Sequence, residues 1–388
     1  MENEMLKDIV GLKKNMQRQI NLYISKFAKN IEQPLCGHRD ASWMAAPPWL
    51  SDYTSVKDIC NQDEVECWKG DSISHRDIVA SGVLTVKHVG VVGYRLNCGS
   101  DAQAIVNLAD RWGMPLFFPF KKHWNLKSLI QEITLGPTVI SRQNRRRAVL
   151  LGSSNVGFYH FLTEVVGDWW FLKKMGFNKD SFDLFIIHDG GKTWQKNILD
   201  LLDIEKDKIR SSFGFREKDI DLVIPYRGKG SPLNVPSWTC RALCEEIGVQ
   251  ESQKKGYRKV YISRKDATRR RMVNEAVLTG KLEKIGFEIV ECENLNVREQ
   301  QDLFGSAKII VAGHGAALTN LVWCPENALV LDIHQESPAV PCFKILGEQS
   351  RIKYVPIFNA AEEIYRYGDW KISEKAVEMI LDEVAVAP

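Results

Sequence analysis

From residue 148 onward, apolar runs of strand length alternate one for one with stretches of helical period, and this alternation confines the chain to an α/β fold. The first series is a strand over 148–151, a helix over 159–174, a strand over 183–188, a helix over 193–202 and a strand over 222–225. The second has strands over 260–263, 287–290, 308–312 and 328–333, separated by helices over 274–285, 296–307 and 316–323. Asn296 and Glu299 have the spacing of a helix N-cap and its reciprocal partner. Strands joined by single helices require right-handed crossovers, so mostly parallel sheets are predicted. Upstream, 83–94 alternates like strands, 101–112 reads as a helix opened by Ser100 or Asp101, 116–120 as a short apolar run and 124–133 as another helix.

Residues 226–256 break the pattern with Gly228, Gly230, Pro232, Pro236, a helix near 238–248 and the polar run Gln250-Glu-Ser-Gln-Lys-Lys-Gly256. Such a shift marks a domain boundary. The expected organisation is an extension over 1–80, with a helix over 1–33 and an irregular connector, then two Rossmann-like, doubly wound units over 81–240 and 241–388. A chain of 388 residues that is 44% apolar can build both cores.

The 52 basic and 49 acidic side chains nearly cancel, which argues against nucleic acid as a partner. No run approaches the ~20 apolar residues of a membrane-spanning helix, and the acidic start is unlike a signal peptide. A cytoplasmic or cytosol-facing location is therefore expected. The amphipathic 1–33 segment leaves a peripheral membrane contact open, beside the plainer use of packing on the protein's own body. Nine cysteines without paired spacing fit a reducing compartment. Cys240 and Cys244, one helical turn apart, are expected to be buried thiols.

In parallel sheets, ligands gather at the carboxyl ends of strands, where turns expose helix N-termini. The strongest such turn is Ile309-Ile-Val-Ala-Gly-His-Gly-Ala-Ala-Leu-Thr-Asn320. Gly315 allows close approach, the amides of Gly315, Ala316 and Ala317 would face an anion, and His314 could donate to a phosphate oxygen. The plainer reading is a packing turn with a solvent-facing histidine. Arg264 and Lys265 follow the strand Tyr261-Ile-Ser-Arg264, and a guanidinium there suits a diphosphate. Arg269, Arg270 and Arg271 extend this cationic edge, although an arginine run is most often a solvated loop. Residues 258–271 carry a net +6, leaving −3 for the rest of the chain. A third cluster places His160, Glu164 and Asp168 at i, i+4 and i+8 on one helix face. There the helix dipole would favour a neutral His160 as general base, oriented by Glu164, while structural pairing within the fold is the alternative. Asp219-Ile-Asp221 precedes a strand, contrary to the placement expected of a metal-binding D-x-D, and the remaining histidines show no metal-ligand spacing.

Together, Tyr159-His160-Phe-Leu-Thr-Glu164, Tyr261-Ile-Ser-Arg264, Asn274-Glu275, Gly286-Phe287-Glu288, Glu299-Gln300 with Phe304, and His314-Gly315-Ala316 with Leu318-Thr319-Asn320 resemble glycosyltransferase family 61 over about 148–357. The resemblance implies a GT-B-type fold, with two Rossmann-like domains facing across a cleft and a nucleotide-sugar, uridine-linked by preference, held mainly by the C-terminal one. It further implies an inverting transfer to a glycan or glycoconjugate hydroxyl, without a cofactor or catalytic metal. The expected acid–base residues are His160, Glu164 and Asp168. The expected donor-binding residues are Arg264, Lys265, Arg269, His314, Gly315, Ala316, Ala317, Asn320 and Asp332. Asp332 stands where Glu is expected in many relatives, and residues 1–80 match nothing in the resemblance. The alternatives are a polysaccharide pyruvyl transferase of similar build and a non-catalytic nucleotide- or glycan-binding scaffold. A dinucleotide-linked dehydrogenase is disfavoured because no G-x-G-x-x-G follows an early strand.

Overall fold

The computed structural model describes residues 41–54, 59, 81–95, 102–108, 116–118, 146–152, 157–187, 190–211, 216–226, 235–248, 256–265, 267, 269–335, 339–359 and 368–387. The helices expected over 1–33 and 124–133 lie outside these residues.

Strands β1 (Ala41–Ala45), β2 (Tyr53–Thr54), β3 (Gly82–Arg95), β4 (Ala102–Leu108) and β5 (Leu116–Phe118) precede the alternating region. The helix expected over 101–112 is instead strand β4, paired antiparallel with β3 from Val89↔Leu108 to Arg95↔Ala102. Seven residues are too few for their period to separate helix from strand, and the unpaired edge of β3 decides the outcome.

The first series then follows: β6 (Arg147–Leu151), helix α1, β7 (Leu184–Ile187), α2 (Thr193–Leu201), β8 (Ile209–Ser211) and β9 (Arg216–Tyr226). Helix α1 spans 158–174 as a first turn (Phe158–His160), a π-helical stretch (Phe161–Val166) and an α-helical stretch (Gly167–Lys174). Strands run in the order β5-β4-β3-β9-β6-β7-β8, with β1 also on β3. The β9-β6-β7-β8 segment is parallel, whereas β1, β3, β4 and β5 add an antiparallel wing. The predicted parallel sheet thus holds for the helix-separated strands. It fails upstream, where the residues form a meander.

Beyond β10 (Val235–Pro236), which pairs with β2, helix α3 (Thr239–Ile247) leads to the second series. This comprises β11 (Arg258–Ile262), α4 (Glu275–Lys284), β12 (Glu288–Val290), α5 (Val297–Gly305), β13 (Ala307–Gly313), a 3-10 helix (Ala316–Trp323), β14 (Leu329–His334), α6 (Cys342–Gln349), β15 (Lys353–Phe358) and α7 (Glu374–Ala385). The Asn296–Glu299 capping box is formed, with Asn296 Oδ1 accepting from the Glu299 amide at 3.1 Å and Glu299 from the Asn296 amide at 2.7 Å. All five strands are parallel, in the order β12-β11-β13-β14-β15. Every residue of β14 is buried, as a central strand covered on both faces must be.

Two clusters flank this sheet. Tyr261, Leu278, Leu282, Val311, Val377 and Ile380 pack under α4 and α7. On the other face, Phe304, Ala312, Trp323, Val330 and Leu346 join one continuous core with Val149, Phe161, Trp170 and Leu243 of the first series. Trp170 stacks on Trp238, whose indole N–H donates to Leu50 O at 3.0 Å. Cys240 donates to Leu346 O at 3.5 Å and Cys244 to Val322 O at 3.7 Å, so both thiols are packed between α3 and the second series. Among the described residues, no helix is long and apolar enough to cross a membrane.

Candidate active site

The strand order 2-1-3-4-5 of the second sheet reverses between β11 and β13, and ligands bind doubly wound sheets at the carboxyl ends flanking such a reversal. Arg264 follows β11 by two residues and His314 follows β13 directly, so sequence-distant clusters meet at this switch point. The β13 turn is shaped around the arginine. A Cβ on Gly315 would lie 1.8 Å from Arg264 Nη1, and one on Gly313 would lie 3.0 Å from its Cδ. Glycine is needed here for space, since Gly315 has an extended backbone, φ −177°.

Glu275, at the start of α4, pins the loop that carries the arginine. Its carboxylate accepts from Tyr261 Oη at 2.8 Å, Ser263 Oγ at 2.9 Å and the Arg264 amide at 3.1 Å. Arg264 Nη2 donates to Arg269 O at 3.1 Å and Nε to Arg270 O at 3.4 Å, while Nη1 has no acceptor among the described residues. Burial lowers the Arg264 pKa and the neighbouring Arg270 lowers it further, with opposing pulls from Tyr261, Asp332 and Glu275. An arginine starts so far above neutrality that it keeps its charge. The rest of the cationic run divides. Arg258 binds Glu288, and Arg271 binds Asp369 through Nε at 2.9 Å and Nη2 at 2.8 Å, so both serve the fold. Lys265, Arg269 and Arg270 are exposed.

The His314 amide continues the β13–β14 ladder to Ile333 O at 2.9 Å. Its Nδ1 meets Asp332 Oδ2 at 2.9 Å and, since a carboxylate only accepts, must carry the hydrogen. Asp332 is fully buried and is also reached by His334 Nε2 at 3.2 Å and by the Tyr354 hydroxyl. Burial alone would raise the Asp332 pKa, but the charges and hydrogen bonds of His314 and His334 outweigh it and hold the carboxyl below its usual range. Asp332, placed among the donor-binding residues by resemblance, therefore lies behind His314, the half-buried side chain between it and the turn. The first amides of the 3-10 helix, at the Gly315–Ala317 end, have no intrahelical acceptor. Asn320 is fully buried and spent within the protein: it donates to Gln300 Oε1 at 2.8 Å and Ala317 O at 3.0 Å, and accepts from Trp323 Nε1 at 3.1 Å. It shapes the helix behind the turn.

In the first sheet, β6 lies between β9 and β7, and the start of α1 follows its carboxyl end. His160 Nδ1 pairs with Glu164 Oε1 at 2.7 Å, with the His160 side chain 27% exposed, enough for access. Asp168 does not join them. It is buried, and its Oδ2 accepts from the Gly152 amide at 2.9 Å, fastening the turn after β6, where Gly152 adopts φ 74°. The intervening π-helical stretch alters the 3.6-residue phase on which the expected shared face depended. Asp219 and Asp221 lie within β9.

The two clusters approach each other through aromatic contacts. The Tyr159 ring lies 5.2 Å from His160 and 5.6 Å from Phe343, which in turn lies 5.0 Å from His314. The first turn of α1 packs against the 3-10 helix. His334 and Tyr354 were absent from the sequence-derived site. His334 was legible in Asp332-Ile333-His334, since alternate residues on a strand share a face, whereas Tyr354 joins only through the β14–β15 register.

Residues 158–331 match a family model described as Glycosyltransferase 61. The chain is also 29% identical over 119 residues to Beta-1,2-xylosyltransferase XYXT1 of Oryza sativa subsp. japonica, covering 29% of this chain and 25% of that protein. It thus spans about a quarter of the length of the curated relative it matches. The matched region contains His160, Glu164, Arg264 and His314 together, in agreement with the resemblance read from the motifs. Over residues 158–331, somewhat under half of its length, the chain is similar to the glycosyltransferase 61 family.

Proposed function

We propose that the chain is an inverting glycosyltransferase of GT-B-type arrangement, moving a sugar from a uridine-linked nucleotide-sugar to a hydroxyl of a glycan or glycoconjugate. The observation that carries this reading is Arg264, held over the Gly313–Gly315 turn with Nη1 lacking a protein acceptor among the described residues. With His314 and the 3-10 amides beside it, the switch point offers a cationic cradle whose donors suit a diphosphate.

In the proposed step, the acceptor oxygen forms a bond to the anomeric carbon as the bond from that carbon to the diphosphate oxygen breaks. The acceptor proton passes to His160, whose Nδ1–H is held by Glu164 so that the other ring nitrogen is the basic one. The leaving nucleoside diphosphate gains negative charge, and Arg264 and His314 stabilise it where that charge develops. Arg269 and Lys265, exposed at the rim, add attraction without fixed geometry.

The test is a thermal-shift panel of nucleotide-sugars on the full chain, followed by donor consumption with and without acceptor. UDP-xylose stands first, because the rice relative is named a β-1,2-xylosyltransferase. A rise in melting temperature with one UDP-sugar, and loss of turnover in Arg264→Ala, is expected. Full activity in a folded Arg264→Ala protein would remove the arginine from the mechanism. Consumption of phosphoenolpyruvate with indifference to sugar nucleotides would overturn the assignment.

A further inference from the structure

Behind the proposed diphosphate cradle lies a cluster whose hydrogen bonding is lopsided. Three donors, His314 Nδ1, His334 Nε2 and the Tyr354 hydroxyl, converge on the single oxygen Oδ2 of Asp332. The other oxygen, Oδ1, is buried and meets no hydrogen-bond partner among the described residues. A buried, unsatisfied carboxylate oxygen beside crowded polar hydrogens calls for a further ligand, either water or an ion.

The geometry points to a transition-metal site of the zinc class formed by His314, Asp332 and His334. One ligand atom from each residue lies within 4.8 Å of the others, and the two imidazole nitrogens stand 2.9 and 3.2 Å from Asp332 Oδ2. Ligands around a tetrahedral ion with bonds of about 2.0–2.2 Å are spaced by roughly 3.3 Å, so these nitrogen–oxygen separations are already close to a coordination shell. A dication would replace the two imidazole hydrogens that crowd Oδ2 and, held through both carboxylate oxygens, would also give Oδ1 a partner. Two imidazoles and one carboxylate favour zinc, cobalt or nickel over magnesium or calcium, which prefer an all-oxygen cage. Three protein ligands leave a fourth position open, and His314, 16% exposed, provides the approach from solvent.

The fold prepares the donors. Asp332 and His334 alternate on β14, and His314 sits at the end of adjacent β13, its amide bonded to Ile333 O at 2.9 Å. The site concerns the ion alone and stands whether or not a nucleotide-sugar binds at the neighbouring cradle.

The full chain, stripped with a chelator, is titrated with Zn2+ by calorimetry and with Co2+ by visible absorption, beside His314→Ala and His334→Ala. Because the chain has nine cysteines, zinc bound elsewhere contributes to the total, and the readout is the difference between proteins. The wild type is expected to bind one more equivalent than either variant. It should also show a tetrahedral Co2+ spectrum that both variants lack and that Mg2+ in hundredfold excess does not displace. His334 is buried, so its variant could lose stability for packing reasons alone. His314→Ala, at a turn, keeps the comparison interpretable, with melting curves recorded for each protein. Equal stoichiometry and equal Co2+ spectra in wild type and folded His314→Ala would overturn the site and leave the cluster as a hydrogen-bonded network around Asp332.

Discussion

Gly315→Ala separates the role of the arginine's position from that of its charge. The added Cβ would lie 1.8 Å from Arg264 Nη1. Restoring an ordinary contact of about 3.5 Å moves the guanidinium by about 1.7 Å. Alanine accepts the extended φ of −177° without strain, so the side chain yields and the backbone stays. The shift breaks or weakens the bonds to Arg269 O and Arg270 O, at 3.1 and 3.4 Å, with a stability cost of about 1–2 kcal/mol because water replaces them on an exposed loop. Catalysis should suffer more. A misplacement of this order costs about a hundredfold in kcat, the lower end of the ~2.7–4 kcal/mol expected for complete loss of a preorganised charge stabiliser. Steady-state kinetics with the donor identified by thermal shift, together with a denaturation curve, provides the assay. Gly280→Ala is the control: a Cβ there meets nothing within 4 Å, so about 0.5–1 kcal/mol of added helix stability and unchanged kcat are expected. Wild-type kcat and KM in folded Gly315→Ala would refute the idea that the arginine's placement over the turn matters.

Replacing His160 by Ala should lower kcat by about 10²–10⁴ with donor affinity retained, measured by turnover beside calorimetric donor binding; loss of donor binding instead would place His160 outside the acceptor side. Asn320→Ala should cost about 2–4 kcal/mol in urea unfolding, because Gln300 and Trp323 lose buried partners. Burial pushes the thiols of Cys292 and Cys342 up to about 12, so a short iodoacetamide pulse at pH 8 followed by peptide mass mapping should leave both unmodified until the protein is unfolded. The hydrogen bond from Arg258 holds Glu288 below its usual pKa. A lowered folded-state pKa adds stability above the ordinary carboxylate range and loses it as pH falls through the folded value. Glu288→Gln should therefore be less stable than wild type by at most about 1 kcal/mol at pH 7, and the difference should vanish in acid unfolding curves.

From β11 to β14 the second series was legible element by element, because apolar runs alternate with helical stretches and carry local stop signals such as Gly286 and the Asn296–Glu299 box, whereas α6, β15 and α7 were not anticipated. The segment 102–108 was misread as a helix for the opposite reason: it is short, and an antiparallel edge supplied its partner. Within the site, the Gly-His-Gly turn and Arg264 announced themselves by residue type. Asp168, chosen for its helical spacing from His160 and Glu164, and Asn320, chosen through the resemblance, are both buried and bonded inside the protein, to the Gly152 amide and to Gln300, Ala317 and Trp323.

What the sequence determined by itself was local: the alternation of strands and helices, the cationic excess over 258–271, and the motifs that resemble glycosyltransferase family 61. Only the tertiary structure decided that β11 lies beside β13 at the reversal of strand order, bringing Arg264 onto a turn about fifty residues away. It also divided seven neighbouring cations into ion-paired Arg258 and Arg271, Lys259 bonded to Ile285 O, the arginine packed over the glycine turn, and exposed Lys265, Arg269 and Arg270 at the rim. The same holds for Asp332, whose partners come from the next strand end, its own strand and the strand beyond. Periodicity records how each segment meets water, which is a property of neighbouring residues. Strand order and register depend on which segments pack together, and that choice is made by contacts between residues far apart in the chain.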